Sequence, residues 1–266
     1  MSGSEDKTAR IWDLSSGKEL HKLEGHQGNV AAVVFTHDGK QVVTGSDDFT
    51  VCLWDATSGA LVRSFLGHKN SVRAVAVSPD GKRLLSGDFD GVISLWDLET
   101  GAQIVSVPGA KSAVHALCFS PDGTLVLAGL HDHSLRLLDA QTLQEIAVLS
   151  GHTDAVLSVA FAPDGKQAVS ASADTRMIVW DMDKRAAVSK LNGHTDWVLK
   201  AAYLTDGKHI ISAGLDKTIR LWDPATGQET CRYSGLTSAW AFAFSADGTQ
   251  LLAGSDLKSV LLCKLP

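Results

Sequence analysis

Residues 67–108 read GHKNSVRAVAVSPDGKRLLSGDFDGVISLWDLETGAQIVSVP, and this stretch decides the fold. Four short runs, VRAVAV (72–77), KRLLSG (82–87), VISLWD (92–97) and QIVSVP (103–108), are β-branched or alternate apolar with polar, the period of a strand. Between them lie PDG (79–81), DFDG (88–91) and LETG (98–101). In the first of these, Pro79 fixes φ and Gly81 takes the left-handed position, so the segment turns. The reading is four antiparallel strands in 42 residues. A four-stranded meander with two apolar faces cannot stand alone, so copies must pack face to face.

Copies extend in both directions. Trp12-Asp13, Trp54-Asp55, Trp96-Asp97, Leu138-Asp139, Trp180-Asp181 and Trp222-Asp223 follow one another at a spacing of 42, and Asp-Gly turns recur at 38, 80, 122, 164, 206 and 247. Gly25-His26, Gly67-His68, Gly151-His152 and Gly193-His194 keep the same register, with Gly109-Ala110 and Gly235-Leu236 as degenerate copies. The repeats run over residues 1–24 (partial), 25–66, 67–108, 109–150, 151–192, 193–234 and 235–266 (partial), and are read as a single domain, 1–266.

This pattern resembles the WD40-repeat family over essentially the whole chain. The resemblance implies an all-β propeller of four-stranded antiparallel blades, here seven repeat units with the first truncated. It also implies that partners bind the narrower top face around a central channel. The clean SPDG-type turns are similar to those of bacterial WD40 arrays, which are often fused to kinase, NTPase or protease-like domains, and the mid-repeat start points to a longer natural protein.

Four polar residues recur at fixed offsets: His26, Thr44, Asp48 and Trp54; His68, Ser86, Asp90 and Trp96; His152, Ser170, Asp174 and Trp180; His194, Ser212, Asp216 and Trp222. Trp only donates and ionised Asp only accepts, so a chain through them runs from Trp N–H to the hydroxyl oxygen, from the hydroxyl to His, and from His N–H to Asp. The WD40 resemblance implies the same structural tetrad. A Ser-His-Asp catalytic triad uses the same residue types. A nucleophile is needed once, whereas this set recurs four times with a Trp, so the reading is structure and the chain is read as no enzyme. Where the set is lost its members go together. Ala110, Ala128 and Leu138 leave only Asp132, and the last repeat has Leu236, Ala253, Leu257 and Cys263. Removing all partners of a buried network costs less than removing one.

Function then belongs to positions that vary from blade to blade. The start of each innermost strand reads Ala31, Arg73, His115, Leu157, Leu199 and Trp240, and the loop near each tetrad Asp opens with Ser46-Asp47, Asp88-Phe89, Leu130-His131, Ser172-Ala173 and Gly214-Leu215. Arg73, Phe89, His115, His131, Trp197 and Trp240 are the candidate partner-binding residues, rich in the Trp and Arg types that dominate interface hot spots. His131, His133 and His115 around Asp132 lack the spacing of a metal site, and no cofactor motif is present.

Bulk properties narrow the classes. The net charge of -6 with no basic run longer than a Lys-Arg pair argues against nucleic acid and anionic membranes, and 44% hydrophobic residues argue against disorder. Four isolated cysteines (Cys52, Cys118, Cys231, Cys263) read as free thiols of a reducing compartment, and MSGSEDKTAR has no leader-like apolar core, so the cytoplasm is expected. The expected function is a protein-interaction scaffold binding a peptide or protein. The alternatives are a structural or self-assembly module of a larger protein and a hydrolase-type propeller enzyme.

The strand tally is uneven. Residues 8–13 and 18–23 match a third and a fourth strand, five full repeats follow, and the chain ends after a third strand. Six blades close if the strand at 18–23 completes the last blade and 8–13 is a spare; otherwise the chain is a seven-bladed propeller lacking strands. Either arrangement leaves an edge open to pairing with another copy.

Overall fold

A computed structural model describes residues 1–108, 111–234, 239–245, 249–255 and 260–264. Every regular element is a strand, and they fall into seven antiparallel sheets in chain order. The first holds β1 (Ser2–Gly3), β2 (Thr8–Trp12) and β3 (Glu19–Glu24). Five four-stranded sheets follow. They comprise β4 (Val30–Phe35), β5 (Gln41–Ser46), β6 (Val51–Asp55) and β7 (Leu61–Phe65); then β8 (Val72–Val77), β9 (Arg83–Asp88), β10 (Ile93–Asp97) and β11 (Gln103–Val107). Next come β12 (Val114–Phe119), β13 (Leu125–Leu130), β14 (Ser134–Asp139) and β15 (Glu145–Ser150). The fifth sheet is β16 (Val156–Phe161), β17 (Gln167–Ser172), β18 (Arg176–Asp181) and β19 (Ala186–Asn192), and the sixth β20 (Val198–Tyr203), β21 (Ile210–Gly214), β22 (Thr218–Trp222) and β23 (Glu229–Ser234). The seventh contains β24 (Ala239–Phe244), β25 (Gln250–Ser255) and β26 (Val260–Lys264).

Strand position within a sheet follows residue pattern. The two middle strands are buried on both faces and read almost continuously apolar, as in VCLW of β6 and RLLSG of β9, whereas the fourth strands are mostly exposed, as in β7 and β11. Turn chemistry fixes the register. The Ser78 hydroxyl donates to Asp80 at 2.5 Å, and the Gly81 amide donates to the Ser78 carbonyl with φ at +70°. The Asp of each Trp-Asp pair shapes the opposite turn. Asp97 Oδ1 accepts from the Thr100 amide and hydroxyl, both at 2.7 Å, and Gly101 closes the turn at φ +78°.

The chain divides into two compact units, 1–128 with 138–145, and 129–137 with 146–266. In the first, neighbouring sheets pack face to face. Val43, Leu53 and Phe65 of one sheet bury against Val72, Leu84 and Trp96 of the next. The approach is close where the second strand of a sheet meets the first strand of its neighbour. A Cβ on Gly87 would stand 2.6 Å from Val114 Cγ1, and one on Gly45 would stand 2.9 Å from Val72 Cγ1, so a larger residue there forces the sheets apart. Arginines add ties. Arg63 donates to the Glu99 and Thr100 carbonyls at 2.8 and 2.7 Å, and Arg83 donates to the Gly123 and Ala140 carbonyls while lying over the Phe119 ring. In the second unit Val169, Met177 and Leu191 pack on Val198, Ile210 and Trp222 in the same manner.

Two expectations for the amino-terminal strands are corrected. Residues 8–12 are no spare: β2 is the middle strand of the first sheet, paired with β1 on one side (Gly3↔Ala9) and with β3 on the other (Thr8↔Glu24). The strand that was to complete the last blade, β3, therefore lies in the first sheet. β1 was not anticipated, and the described strands number 26. Among the described residues no helix is long and apolar enough to cross a membrane.

Candidate functional site

The recurring polar residues meet inside their sheets. His26 sits with Nδ1 2.8 Å from Asp48 and Nε2 2.7 Å from the Thr44 hydroxyl, to which Trp54 Nε1 donates at 2.8 Å. The sets of His152 (Asp174 2.8 Å, Ser170 2.7 Å, Trp180 to Ser170 2.8 Å) and His194 (Asp216, Ser212 and Trp222 to Ser212, each 2.8 Å) repeat the geometry. Nδ1–H donates to the carboxylate, so Nε2 accepts from the hydroxyl. Every imidazole is no more than 1% exposed, which leaves no access for a substrate.

One member differs from the spacing. His68 pairs with Asp88 at 2.8 Å, not with Asp90, while Ser86 and Trp96 stand as expected at 2.6 and 2.7 Å. In two other complete sets the acid is braced by a hydroxyl two residues later, as Thr50 braces Asp48 and Thr218 braces Asp216, whereas Asp174 keeps its site with Arg176 at that position. Val92 occupies that position here and has no hydroxyl. Asp88, two residues upstream, fills the acid site and accepts the Asp90 and Val92 amides at 3.0 and 2.9 Å, while Asp90 turns outward to Asn70.

Two extensions of the network escape the sequence reading. Trp12 Nε1 donates to Ser2 Oγ at 3.0 Å, so the first sheet keeps the Trp–Ser link. Arg220, fully buried, donates to Asp216 (2.9 Å), Glu229 (2.8 Å) and the Thr218 hydroxyl (2.9 Å), and so joins a second carboxylate to the His194 set. Arg10 repeats this with Asp6 (2.6 Å) and Glu19 (2.9 Å). Electrostatics follow the contacts. Burial and the nearby Arg220 hold His194 below its ordinary value, against the pull of Asp216. Burial pushes Asp48 up, but hydrogen bonds from Thr50, the Gln27 amide and His26 prevail and bring it down to about 2.

In the sheet of 114–150 Ala128 and Leu138 are buried in place of Ser and Trp, and Asp132 accepts from the Ser134 amide and hydroxyl and pairs with Arg136. Ala110, Leu236 and Leu257, and the side chains of Ala253, Cys263 and Trp240, lie outside the described residues. Among the described residues no group of three His, Cys, Asp or Glu is placed to hold a metal ion.

The two variable sets share one end of each sheet. The first falls on β-bulges: ladder register shifts between Val30 and Ala32, Val72 and Ala74, Val156 and Ser158, Val198 and Lys200, and Ala239 and Ala241. Ala31, Arg73, Leu157, Leu199 and Trp240 are the residues left out. A bulge re-aims a side chain away from the ladder. The second set is tied to the loop before the same strand, the amides of Asp47, Phe89, Ala173 and Leu215 donating to the carbonyls of Asn29, Ser71, Ala155 and Trp197.

Arg73 thereby lies with its guanidinium 6.0 Å from the centre of the Phe89 ring and its Nη2 3.3 Å from Asp47 Oδ1. Phe89 is 51% exposed and Phe49, at φ +72° in the adjoining hairpin, 43%. In the second unit Trp197 is 44% exposed, its amide bonded to Asp196. His115 and His131 each take part in further interactions.

Comparison with known proteins agrees with this architecture. A family model described as "WD domain, G-beta repeat" matches residues 17–55, 59–97, 101–139, 143–181 and 186–223. The chain is 51% identical over 37 residues to dynein assembly factor with WD repeat domains 1 of Danio rerio, covering 14% of this chain and 9% of that protein. It is 49% identical over 43 residues to coronin-7 of Mus musculus, covering 16% of this chain and 5% of that protein, and 44% identical over 43 residues to coronin-7 of Homo sapiens. These stretches are about one repeat long and cover under a tenth of those relatives. With five matched repeats, blade-type sheets and the His–Ser/Thr–Asp–Trp sets together, the chain belongs to the WD40-repeat family of β-propeller proteins.

Proposed function

We propose that this chain is a non-enzymatic interaction scaffold that docks a peptide or protein at the Gly-His end of its blades. The bulges carry the proposal. They occur where the residue type changes from repeat to repeat, and they turn Arg73 out to solvent at 41% exposure while Val72 and Ala74 on either side stay buried. The candidate binding residues are Arg73, Phe89 and His115 in the first unit and His131, Trp197 and Trp240 in the second. Burial of all four complete His sets supports a scaffold over a hydrolase. Thiols at Cys52 and Cys231 that form no disulfide are in keeping with the cytoplasm.

The test is affinity capture from native lysate with the intact chain and the double variant Arg73→Ala/Trp197→Ala. Loss of specific partners at an unchanged melting temperature is the expected result. Full retention of those partners would overturn the proposal.

A further inference from the structure

The first sheet reproduces the polar set of the sixth, contact for contact, except for the histidine. Trp12 Nε1 donates to Ser2 Oγ at 3.0 Å, as Trp222 Nε1 donates to Ser212 at 2.8 Å. Asp6 Oδ1 accepts the Thr8 amide and hydroxyl at 3.1 and 2.6 Å; Asp216 Oδ1 accepts the Thr218 amide and hydroxyl at 3.1 and 2.7 Å. Asp6 Oδ2 accepts from Arg10 at 2.6 Å, as Asp216 Oδ2 does from Arg220 at 2.9 Å. The sixth sheet then adds three contacts from one loop: His194 Nδ1 and the Thr195 amide to Asp216 at 2.8 and 3.2 Å, and His194 Nε2 to Ser212 at 2.8 Å. Among the described residues none makes these contacts to Asp6 or Ser2, and the Asp6 side chain is 44% exposed against 3% for Asp216.

Backbone and packing are open at the same place. β1 pairs with β2 alone, whereas its counterpart β21 pairs with β22 on one side and with β20, the strand that follows the His194 loop, on the other. One edge of β1 therefore offers its backbone groups to a further strand. Beside that edge β4 shows apolar surface. Val33 packs on the cluster it shares with the first sheet, and Phe35, two residues on and so on the same face, is 36% exposed. Val77 and Phe119, which hold that place in β8 and β12, are buried.

Independently of docking at the bulges, we infer that the free edge of β1 accepts a strand from a separate polypeptide, one in which a Gly-His loop leads into an apolar strand, and that its imidazole seats between Ser2 and Asp6. The chemistry selects this occupant. The hydroxyl of Ser2 and the carboxylate of Asp6 need an acceptor and a donor on one rigid ring, which a neutral imidazole supplies, and the sixth sheet shows that such a ring fits beside the arginine. By the register of β20 on β21, an incoming Ala-Ala-Lys-type stretch would run antiparallel to Met1–Ser4 and lay its apolar side chains towards β4. An apolar strand without the histidine satisfies the ladder but not the set.

The experiment adds a fluorescein-labelled synthetic peptide with the sequence of residues 193–204, GHTDWVLKAAYL, to the full chain and follows anisotropy. Saturable binding is expected, weakened about tenfold when the peptide carries His194→Ala. Ser2→Ala in the chain should weaken the unaltered peptide by a similar factor and leave the His194→Ala peptide nearly unaffected, because the two changes remove the same hydrogen bond. With a 15N-labelled imidazole, the bound peptide should show the proton on Nδ1 at pH 7.5, the tautomer that donates to a carboxylate. No binding, equal binding of the His and Ala peptides, or binding indifferent to Ser2→Ala would overturn the inference. So would a chain that is dimeric in sedimentation and excludes the peptide, since a second copy would then cover the edge. The comparison of the two peptides uses the unaltered chain and so stands even if a variant fails to fold.

Discussion

The set around His68 allows the coupling within one blade to be measured. His68→Ala removes the only described partner of Asp88 Oδ2, in a carboxylate that is 1% exposed; Oδ1 keeps its two amides. One orphaned oxygen on a buried charged group, together with the space of the lost ring, costs about 3 kcal/mol. Ser86→Ala orphans two groups at once, Trp96 Nε1 and His68 Nε2, for about 2–4 kcal/mol. In the double variant the imidazole is gone, so the Ser86 change orphans only the indole N–H. The double cost should fall short of the sum by one hydrogen bond, about 1–2 kcal/mol. Denaturant midpoints of the four proteins, read by indole fluorescence and by circular dichroism, measure the difference. His68→Ala with Ser212→Ala, from a different sheet, serves as the control and should add within about 0.5 kcal/mol. Additive losses for His68 and Ser86 would refute the view that the blade is stabilised by a connected network.

Asp88→Ala should cost about 3 kcal/mol in the same assay and Asp90→Ala no more than about 0.5 kcal/mol, because only the first acid is buried on an imidazole; equal costs would contradict the assignment of Asp88. Arg220→Ala strands Asp216 and Glu229 and should cost about 3–5 kcal/mol, well above Arg10→Ala, whose ion pairs with Asp6 and Glu19 are partly open to water; the order of the two midpoints checks this. Asp48 titrates at about 2 when folded, below its ordinary value of 3.8, so its contribution is complete above about pH 4 and is lost as pH falls through about 2. The stability gap between the intact chain and Asp48→Asn should accordingly close as pH falls from about 4 through about 2, as followed by urea midpoints.

Period carries much of this structure. A 42-residue repeat of alternating runs, Trp-Asp pairs and Asp-Gly turns suffices to place four strands per blade, and the donor inventory alone orders the His sets. The short amino-terminal strand was harder to see because two residues carry no alternation. Its signal lay elsewhere: SGSEDKTARIWD (2–13) aligns with SAGLDKTIRLWD (212–223) at five repeat lengths, matching Ser2 to Ser212 and Asp6 to Asp216. The acid of the His68 set could not be fixed by offset because aspartates stand at both 88 and 90. Arg220 reads as a surface charge on an alternating strand. Only the flanking Asp216 and Glu229, brought together by the β22–β23 pairing of Trp222 with Glu229, make its burial affordable.

The bulges let residue type vary on a frame that does not. Within a regular ladder a side chain alternates between two faces, and in these sheets both faces of the inner strands pack on neighbours, so a change from Ala to Arg or Trp would have to be absorbed by the core. An extra residue on the first strand leaves that position outside the pairing: Val72 still meets Asp88 and Ala74 still meets Gly87 whatever stands at 73. The tie from the Phe89 amide to the Ser71 carbonyl fixes the neighbouring hairpin through backbone atoms alone, so residue 89 is equally free to change. The positions proposed to bear binding chemistry are thus ones whose side chains the fold does not need. This is the physical reason that substitutions at Arg73 and Trp197 should move affinity without moving stability, while any change in a His set should do the reverse.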